Sequence, residues 1–383
     1  MVKEGYKQTE IGIIPEIWDV QPLQNIAPLQ RGFDLPYSKM QEGPYPVVFS
    51  NGVGAFHNRY MVKGPGVVTG RSGTIGKVHY IPVDYWPHNT SLWVTDFHGN
   101  NPRFIYYLFQ TIQWDLFNSG SGVPTLNRND VHSSKSAVPT VLEQERIAES
   151  LSDIDKLISS LDKLITKKKA IKQGAMKHLL TGKVRLPGFI KEWEIIQINQ
   201  LGKMIGGGTP STQNESYWKG SIPWISSSDL QEDDIHNVIT TRFITMEAIN
   251  NSATVICPKD TVLIISRVGV GKVAVAPCEI CTSQDYTNII IENYCPEFIA
   301  YVIQMVMKQK ASRTQGTSIK GITTAEIGAT EIIIPDKIEQ EAIAKEICDL
   351  DNEIASLEKK LTKMVQIKQG MMQQLLRGKI RLV

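Results

Sequence analysis

The sequence has no long apolar run. Its longest apolar stretches, such as 299–307, are far shorter than the ~20 residues a membrane-spanning helix needs. The start, Met1-Val2-Lys3-Glu4-Gly5-Tyr6, is polar and has no signal-peptide core. Both absences point to a cytoplasmic protein without a membrane partner. Charge of one sign is also missing. The net charge is +2; residues 1–141 carry 11 basic and 10 acidic side chains, and 183–337 carry 14 and 16. Any polyanion must therefore meet a local patch, not a basic surface. Cysteine is scarce: Cys257, Cys278, Cys281, Cys295 and Cys348. Four fall within 257–295, and Cys278 and Cys281 have CxxC spacing, but the outer two lack a matching pair. That leaves a zinc site or, on the plainer reading, buried thiols in a strand over 274–282.

No catalytic constellation is legible. Gly70-Arg71-Ser72-Gly73-Thr74-Ile75-Gly76-Lys77 is not a phosphate-binding P-loop, because Arg71 stands where the first glycine belongs and Val78 follows the lysine. Asp34-Leu35-Pro36-Tyr37 resembles the Asp-Pro-Pro-Tyr box of amino-methyltransferases, but Leu35 breaks it. The seven histidines show no ligand spacing.

What is present is a repeat. Glu143-Gln144-Glu145-Arg146-Ile147-Ala148, Ile171-Lys172-Gln173-Gly174 and Leu179-Leu180-Thr181-Gly182-Lys183 recur as Glu339-Gln340-Glu341-Ala342-Ile343-Ala344, Ile367-Lys368-Gln369-Gly370 and Leu375-Leu376-Arg377-Gly378-Lys379, without a gap, at an offset of 196. A period of this length decides the architecture. Within the first copy Ile147, Leu151, Ile154, Ile158, Leu161 and Ile165 step by fours and threes. Ile343, Ile347, Leu350, Ile354, Leu357 and Leu361 keep the same register in the second. Such a narrow apolar seam predicts two long helices, each roughly 55–60 Å, that bury their seams against one another as an antiparallel coiled coil.

The segments between repeat each other more weakly. Short strands are predicted over 45–50, 66–69, 77–81 and 91–95, and helices over 102–116 and 296–308. Trp18 and Trp193 lie only 175 apart, so the second lobe carries an insertion of about 21 residues before Arg267. The chain is thus α+β, with a pseudo-twofold internal repeat: a first lobe at 1–141, a central long helix at 142–182, a second lobe at 183–337 and a C-terminal long helix at 338–383.

Two features in each lobe suit binding. A Gly-rich hairpin carries Arg71, with Ser72, Thr74 and Lys77, in the first lobe and Arg267, with Lys272, in the second. Such an arginine can read a guanine edge or neutralise a phosphate; the plain alternative is an exposed hairpin arginine. A polar loop follows at matching positions: Ser121, Thr125, Asn127 and Arg128 in the first lobe, Thr317, Ser318 and Lys320 in the second.

With both helices and both hairpins in view, the chain resembles the DNA-specificity (S) subunit of Type I restriction–modification systems. The residues that carry the resemblance are 6–15, 70–77, 143–148 and 178–189, and it extends over essentially the whole length. It implies two target recognition domains, each reading half of a bipartite site in double-stranded DNA. Between them the conserved helices would set the spacer and dock two methyltransferase (M) subunits, with restriction (R) subunits as further partners. S-adenosylmethionine would belong to the methyltransferase, ATP and Mg to the nuclease-translocase, and this chain would be a non-catalytic subunit. The alternatives are a coiled-coil scaffold that reads no DNA and a fused DNA methyltransferase.

Overall fold

Two helices of 39 residues each, Val141–Leu179 and Lys337–Leu375, occupy the strict repeat. They belong to a computed structural model that describes residues 2–118, 122–313 and 321–383. Each helix starts two residues after a proline, Pro139 or Pro335, whose fixed backbone suits a helix entrance. Each ends short of the boundary expected from the repeat, 182 or 383. Gly182 and Gly378 lie at φ 68° and 64°, a left-handed conformation that stops a helix and that other residues adopt at a cost. The few residues beyond turn back and deliver Arg185 and Arg381 to the lobes.

The apolar stripe is buried. Ile147, Leu151, Ile343 and Ile347 are fully inaccessible, and Ile154, Leu161, Ile165 and Ile354 nearly so. Ile158, Leu350, Leu357 and Leu361 are half-buried. Leu157 and Leu164, off the stripe, are 41% and 38% exposed. Near each helix start the stripe joins a lobe core. Ile147 and Leu151 cluster with Trp18, Phe104 and Leu375; Ile343 and Ile347 cluster with Leu180, Phe298 and Ile299.

By contact the chain divides into two units, Met1–Asp162 with Lys359–Val383, and Lys163–Glu358. Each takes a stretch of both long helices, running antiparallel. In the second unit Lys168 reaches Glu353 at 2.7 Å, and Lys172, one turn on, pairs with Asp351. In the first, Lys368 meets Asp155 at 2.7 Å.

The first unit holds a four-stranded antiparallel sheet, in the order Leu29–Arg31, Ser91–Val94, Gly66–Gly70, Val78–Ile81. The helix Pro102–Phe109 packs on the last two strands. A second sheet joins Gly52–His57, Tyr45–Phe49 and Trp86–Pro87. A two-stranded ribbon, Asp19–Pro22 with Lys135–Val138, leads into the long helix.

The second unit repeats the plan. Its four-stranded sheet runs Gly202–Gly206, Tyr286–Ile291, Val262–Ile265, Val273–Val275. Its ribbon pairs Glu194–Gln197 with Glu331–Ile334. The extra length of this unit lies between Gly206 and Val262. That segment supplies most of an outer sheet of four strands, Arg242–Ile244, Ile222–Ile225, Ile280–Thr282 and Ile256–Cys257, where the first unit has three.

Three local expectations change. The helix expected over 102–116 stops at Phe109 and gives way to a separate turn, Trp114–Phe117. Trp114 folds back, buried, and its Nε1–H donates to the Phe109 carbonyl at 2.9 Å, satisfying an oxygen the helix end leaves open. The helix expected over 296–308 continues to Arg313. The single strand expected over 274–282 is two strands in two sheets, broken by Pro277, which has no N–H for a ladder. The break turns Cys278 outward and Cys281 inward, so the CxxC pair does not converge. Cys281 and Cys257 lie on paired strands, and burial pushes both thiols up to about 12, well into the protonated range at neutral pH. Among the described residues no group of three or more His, Cys, Asp or Glu is placed to hold a metal, and no helix is long and apolar enough to cross a membrane.

Candidate nucleic-acid interface

The repeated helix motif owes its composition to three joints in each unit. Glu143 is 2% exposed; its Oε2 accepts from Trp18 Nε1 at 2.8 Å, and both carboxylate oxygens accept from Arg381, at 2.6 and 2.9 Å. Glu339 does the same with Trp193 at 3.2 Å and with Arg185 at 2.8 and 2.5 Å. The neighbouring glutamine holds the lobe's helix. Gln144 accepts from Asn101 N at 2.9 Å and donates to Pro139 O at 3.0 Å; Gln340 accepts from Cys295 N at 3.0 Å and donates to Pro335 O at 2.8 Å. Further along, Tyr107 donates to Asp155 at 2.7 Å beside Lys368, and Tyr301 donates to Asp351 at 2.6 Å beside Lys172. A buried carboxylate needs a cation and hydrogen bonds; Glu143 and Glu339 are buried and have both, and the partly exposed Asp155 and Asp351 have the same kinds of partner. The joints make each lobe rigid with its share of the helix pair.

On this frame sit the hairpins. Gly70 opens the first. A Cβ there would lie 1.7 Å from the Thr74 carbonyl oxygen, so no other residue allows so close a return of the chain. Arg71 follows, stapled on both sides: its N–H donates to Thr90 O at 2.9 Å and its carbonyl accepts from Leu126 N at 2.8 Å. In the second unit Ser266 N donates to Asp285 O at 2.8 Å and Ser266 O accepts from Ile322 N at 2.7 Å, one residue earlier than in the first hairpin.

The staple brings hairpin and polar loop together around a groove. In the first unit Arg31, Arg71, Thr125, Asn127 and Arg128 line a cavity of about 470 Å³ floored by Leu92. Three guanidiniums meet there with no carboxylate in the lining. Asp34 touches Arg31 from outside, at 3.1 Å. In the second unit Arg267, Gln284, Thr287 and Thr323 line a cavity of about 830 Å³ over Tyr286. Asn127 and Thr323 hold equivalent places, each capping the short helix that follows: Asn127 accepts from Asn129 N at 3.0 Å, Thr323 from Glu326 N at 3.2 Å. Asp34 offsets only Arg31, and the Arg71 and Arg128 guanidiniums in a lining without carboxylates favour an anion.

Not every predicted residue faces a groove. Ser72 pairs with Thr125 at the groove's edge. Thr74 uses its carbonyl to close the turn over Gly70. Lys77 faces a different depression, against Gln113 and Trp114. Lys272 points inward, and its Nζ donates to Leu230 O at 2.9 Å. Ser121, Thr317, Ser318 and Lys320 lie outside the described residues. Sequence reasoning missed Arg31, a lone arginine on a strand with no pattern around it.

His132 ties the two elements that carry Arg31 and Arg128. Its Nε2 accepts from Leu29 N at 2.8 Å, which requires the neutral ring. Burial and then the Arg128 charge hold its pKa below the ordinary histidine value. The unfolded chain therefore binds this proton at a higher pH than the folded one. The bond's contribution is full above about pH 6.5 and is lost as pH falls below it. His132→Gln should flatten that loss for the first unit between pH 7 and 5. An unchanged acid limb in hydrogen exchange of strand Leu29–Arg31 would remove His132 from the account.

The model of the family described as "Type I restriction modification DNA specificity domain" matches twice, over 15–173 and 190–366. The putative type I restriction enzyme MjaX specificity subunit of Methanocaldococcus jannaschii is 24% identical over 99% of this chain and 97% of its own length. The MjaIX specificity subunit of the same organism is 34% identical over 44% of this chain; the match spans only 40% of that protein. The crystal structure of a Type I restriction–modification S subunit from M. genitalium superposes with a TM-score of 0.67 at 15% identity, covering 94% of this chain and 96% of the other, a likeness of fold. The chain belongs to the Type I restriction modification DNA specificity family.

Proposed function

We propose that this chain, as a member of that family, is the DNA-recognition subunit of a cytoplasmic Type I restriction–modification assembly. Each lobe reads one half of a bipartite site in double-stranded DNA. The chain itself transfers no methyl group and cuts no strand; that chemistry belongs to partners, two methyltransferase subunits using S-adenosylmethionine and restriction subunits using ATP and Mg. The observation that carries the reading is the duplicated groove, where a hairpin bearing an arginine is stapled to the segment leading into a capped helix, at Arg71 in the first unit and at Ser266, beside Arg267, in the second. The long helices support the spacer role: 39 residues at about 1.5 Å each exceed the ~34 Å of one duplex turn. A stiff pair of that length sets a distance that a flexible linker does not.

Selection from random duplex DNA by the full chain with its methyltransferase partner tests the reading. Enrichment of two short motifs at a constant separation is expected. Binding without enrichment would make the chain a scaffold, and methyl transfer by the chain alone would make it an enzyme. Arg71→Ala and Arg267→Ala should each weaken binding while the complex still assembles. Where the guanidinium meets a phosphate, the slope of log affinity against log salt drops by about 1. Unaltered affinity in both variants would take the grooves out of the interface.

A further inference from the structure

The second unit holds a further cavity beside the Arg267 groove. It measures about 670 Å³ and is built largely by the segment inserted between Gly206 and Val262. Its wall is aromatic. Trp224 is buried, with its Nε1–H on Gly208 O at 2.9 Å, and Trp218 meets it edge-on at 5.0 Å between centroids. The Arg242 guanidinium lies over the Trp224 ring, 4.6 Å from its centroid. Gln284 lines both this cavity and the Arg267 groove, so the two are neighbours.

The charges distinguish this cavity from the arginine groove of the first unit. Glu215 and Asp285 stand in its lining beside Lys219 and Arg242. Carboxylates repel a phosphate backbone, whereas a base edge, which carries no net charge, tolerates them. The aromatic wall suits the same kind of occupant. Arg242 is held as a reading group must be. Its Nη2 donates to Ser226 Oγ at 2.7 Å and to the Asp229 carboxylate. Asp229 is itself fixed by Ser226 N at 2.7 Å. Stacking and pairing together set the plane of the guanidinium. Among the described residues no hydrogen bond engages Nη1 or Nε, and the side chain is 39% exposed.

We propose that this cavity takes a base-pair edge of the second half-site, with Arg242 donating from Nη1 to a guanine. Guanine presents O6 and N7 as adjacent acceptors in the major groove, and Nη1 carries two hydrogens. Adenine sets a donor beside N7 and opposes the contact. The inference rests on the DNA-recognition reading above. It adds that base discrimination by this unit lies in the inserted segment, with Arg267 alongside contributing affinity.

The test is selection from random duplex DNA by the full chain with its methyltransferase partner, comparing wild type, Arg242→Lys, Arg242→Ala and Gln284→Ala. Lysine keeps the charge without the planar group that stacks on Trp224, and Gln284→Ala leaves the Asp229 pair intact if Arg242→Ala fails to fold. The expected result is that guanine at one position of one half-site relaxes about tenfold or more in the Arg242 variants, the other half-site is unchanged, and Gln284→Ala alters the same or an adjacent position. An unchanged motif, or a uniform loss of affinity across all sequences, overturns the proposal. If wild type itself enriches no motif, the DNA-recognition reading has failed, a different outcome from a wild-type motif that Arg242 does not affect.

Discussion

Glu143→Ala should lower the stability of the first unit by about 3 kcal/mol, the cost of stripping one partner from a buried ion pair. The carboxylate is 2% exposed and is shared between Trp18 and Arg381. Its removal leaves a guanidinium without its counter-charge and the Trp18 indole N–H without an acceptor, and the fully buried indole cannot reach water without opening the joint. Hydrogen exchange read peptide by peptide separates this from general damage. Protection should fall across Met1–Asp162 and Lys359–Val383 and hold in Lys163–Glu358. Glu143→Gln should recover part of the loss, because the amide oxygen still accepts from Trp18 although the charge is gone. An alanine variant as protected as wild type would mean that the joint contributes nothing. The equivalent change at Glu339 should transfer the effect to the second unit.

Ile347→Ala should cost about 2–5 kcal/mol, the range for truncating a fully buried aliphatic side chain. Ile347 is inaccessible and sits where the helix stripe enters the core formed with Phe298 and Ile299. Leu157→Ala, a change of similar size at a position 41% exposed, should fall within about 0.5 kcal/mol of wild type. Denaturant midpoints for the two variants at constant slope decide the matter. Equal losses would mean that the stripe is not what the helices bury.

The helices were legible because their pattern is strict and duplicated, and their register could be read from Ile147 to Leu361 without the structure. The joints were visible as letters without roles. Glu143, Lys172 and Arg185 recur 196 residues on, but Trp18 and Tyr301, the partners of the first two, come from distant segments. The hairpins were legible from glycine, since a return as close as that at Gly70 excludes every other residue. Which face of a hairpin a side chain takes was not. Lys77 and Lys272 stand at matching positions, yet one is exposed and the other donates to Leu230, because the inserted segment supplies the second lysine with a carbonyl. Arg31 and Arg242 were invisible for the same reason: each matters through what tertiary folding sets around it, Asp34 and Asn127 in one case, Trp224 and Asp229 in the other.

The first unit is assembled from both ends of the chain. Leu375 and Leu376 lie in its core, Arg381 completes its Trp18 joint, and Tyr6 donates to the carbonyl of Gly378 at 3.0 Å. The second unit is one continuous segment. During synthesis the order of completion is therefore the reverse of the order of emergence. The lobe that leaves the ribosome first waits for residues 359–383, at roughly 5–20 residues per second a delay on the order of ten seconds or more. Through that interval Glu143 stands without its arginine and the pocket for Leu375 is open to water. A nascent chain cut short between Glu358 and Arg381 carries a complete second unit and an unfinished first one, so the Arg381 joint closes only after the second unit has all of its residues.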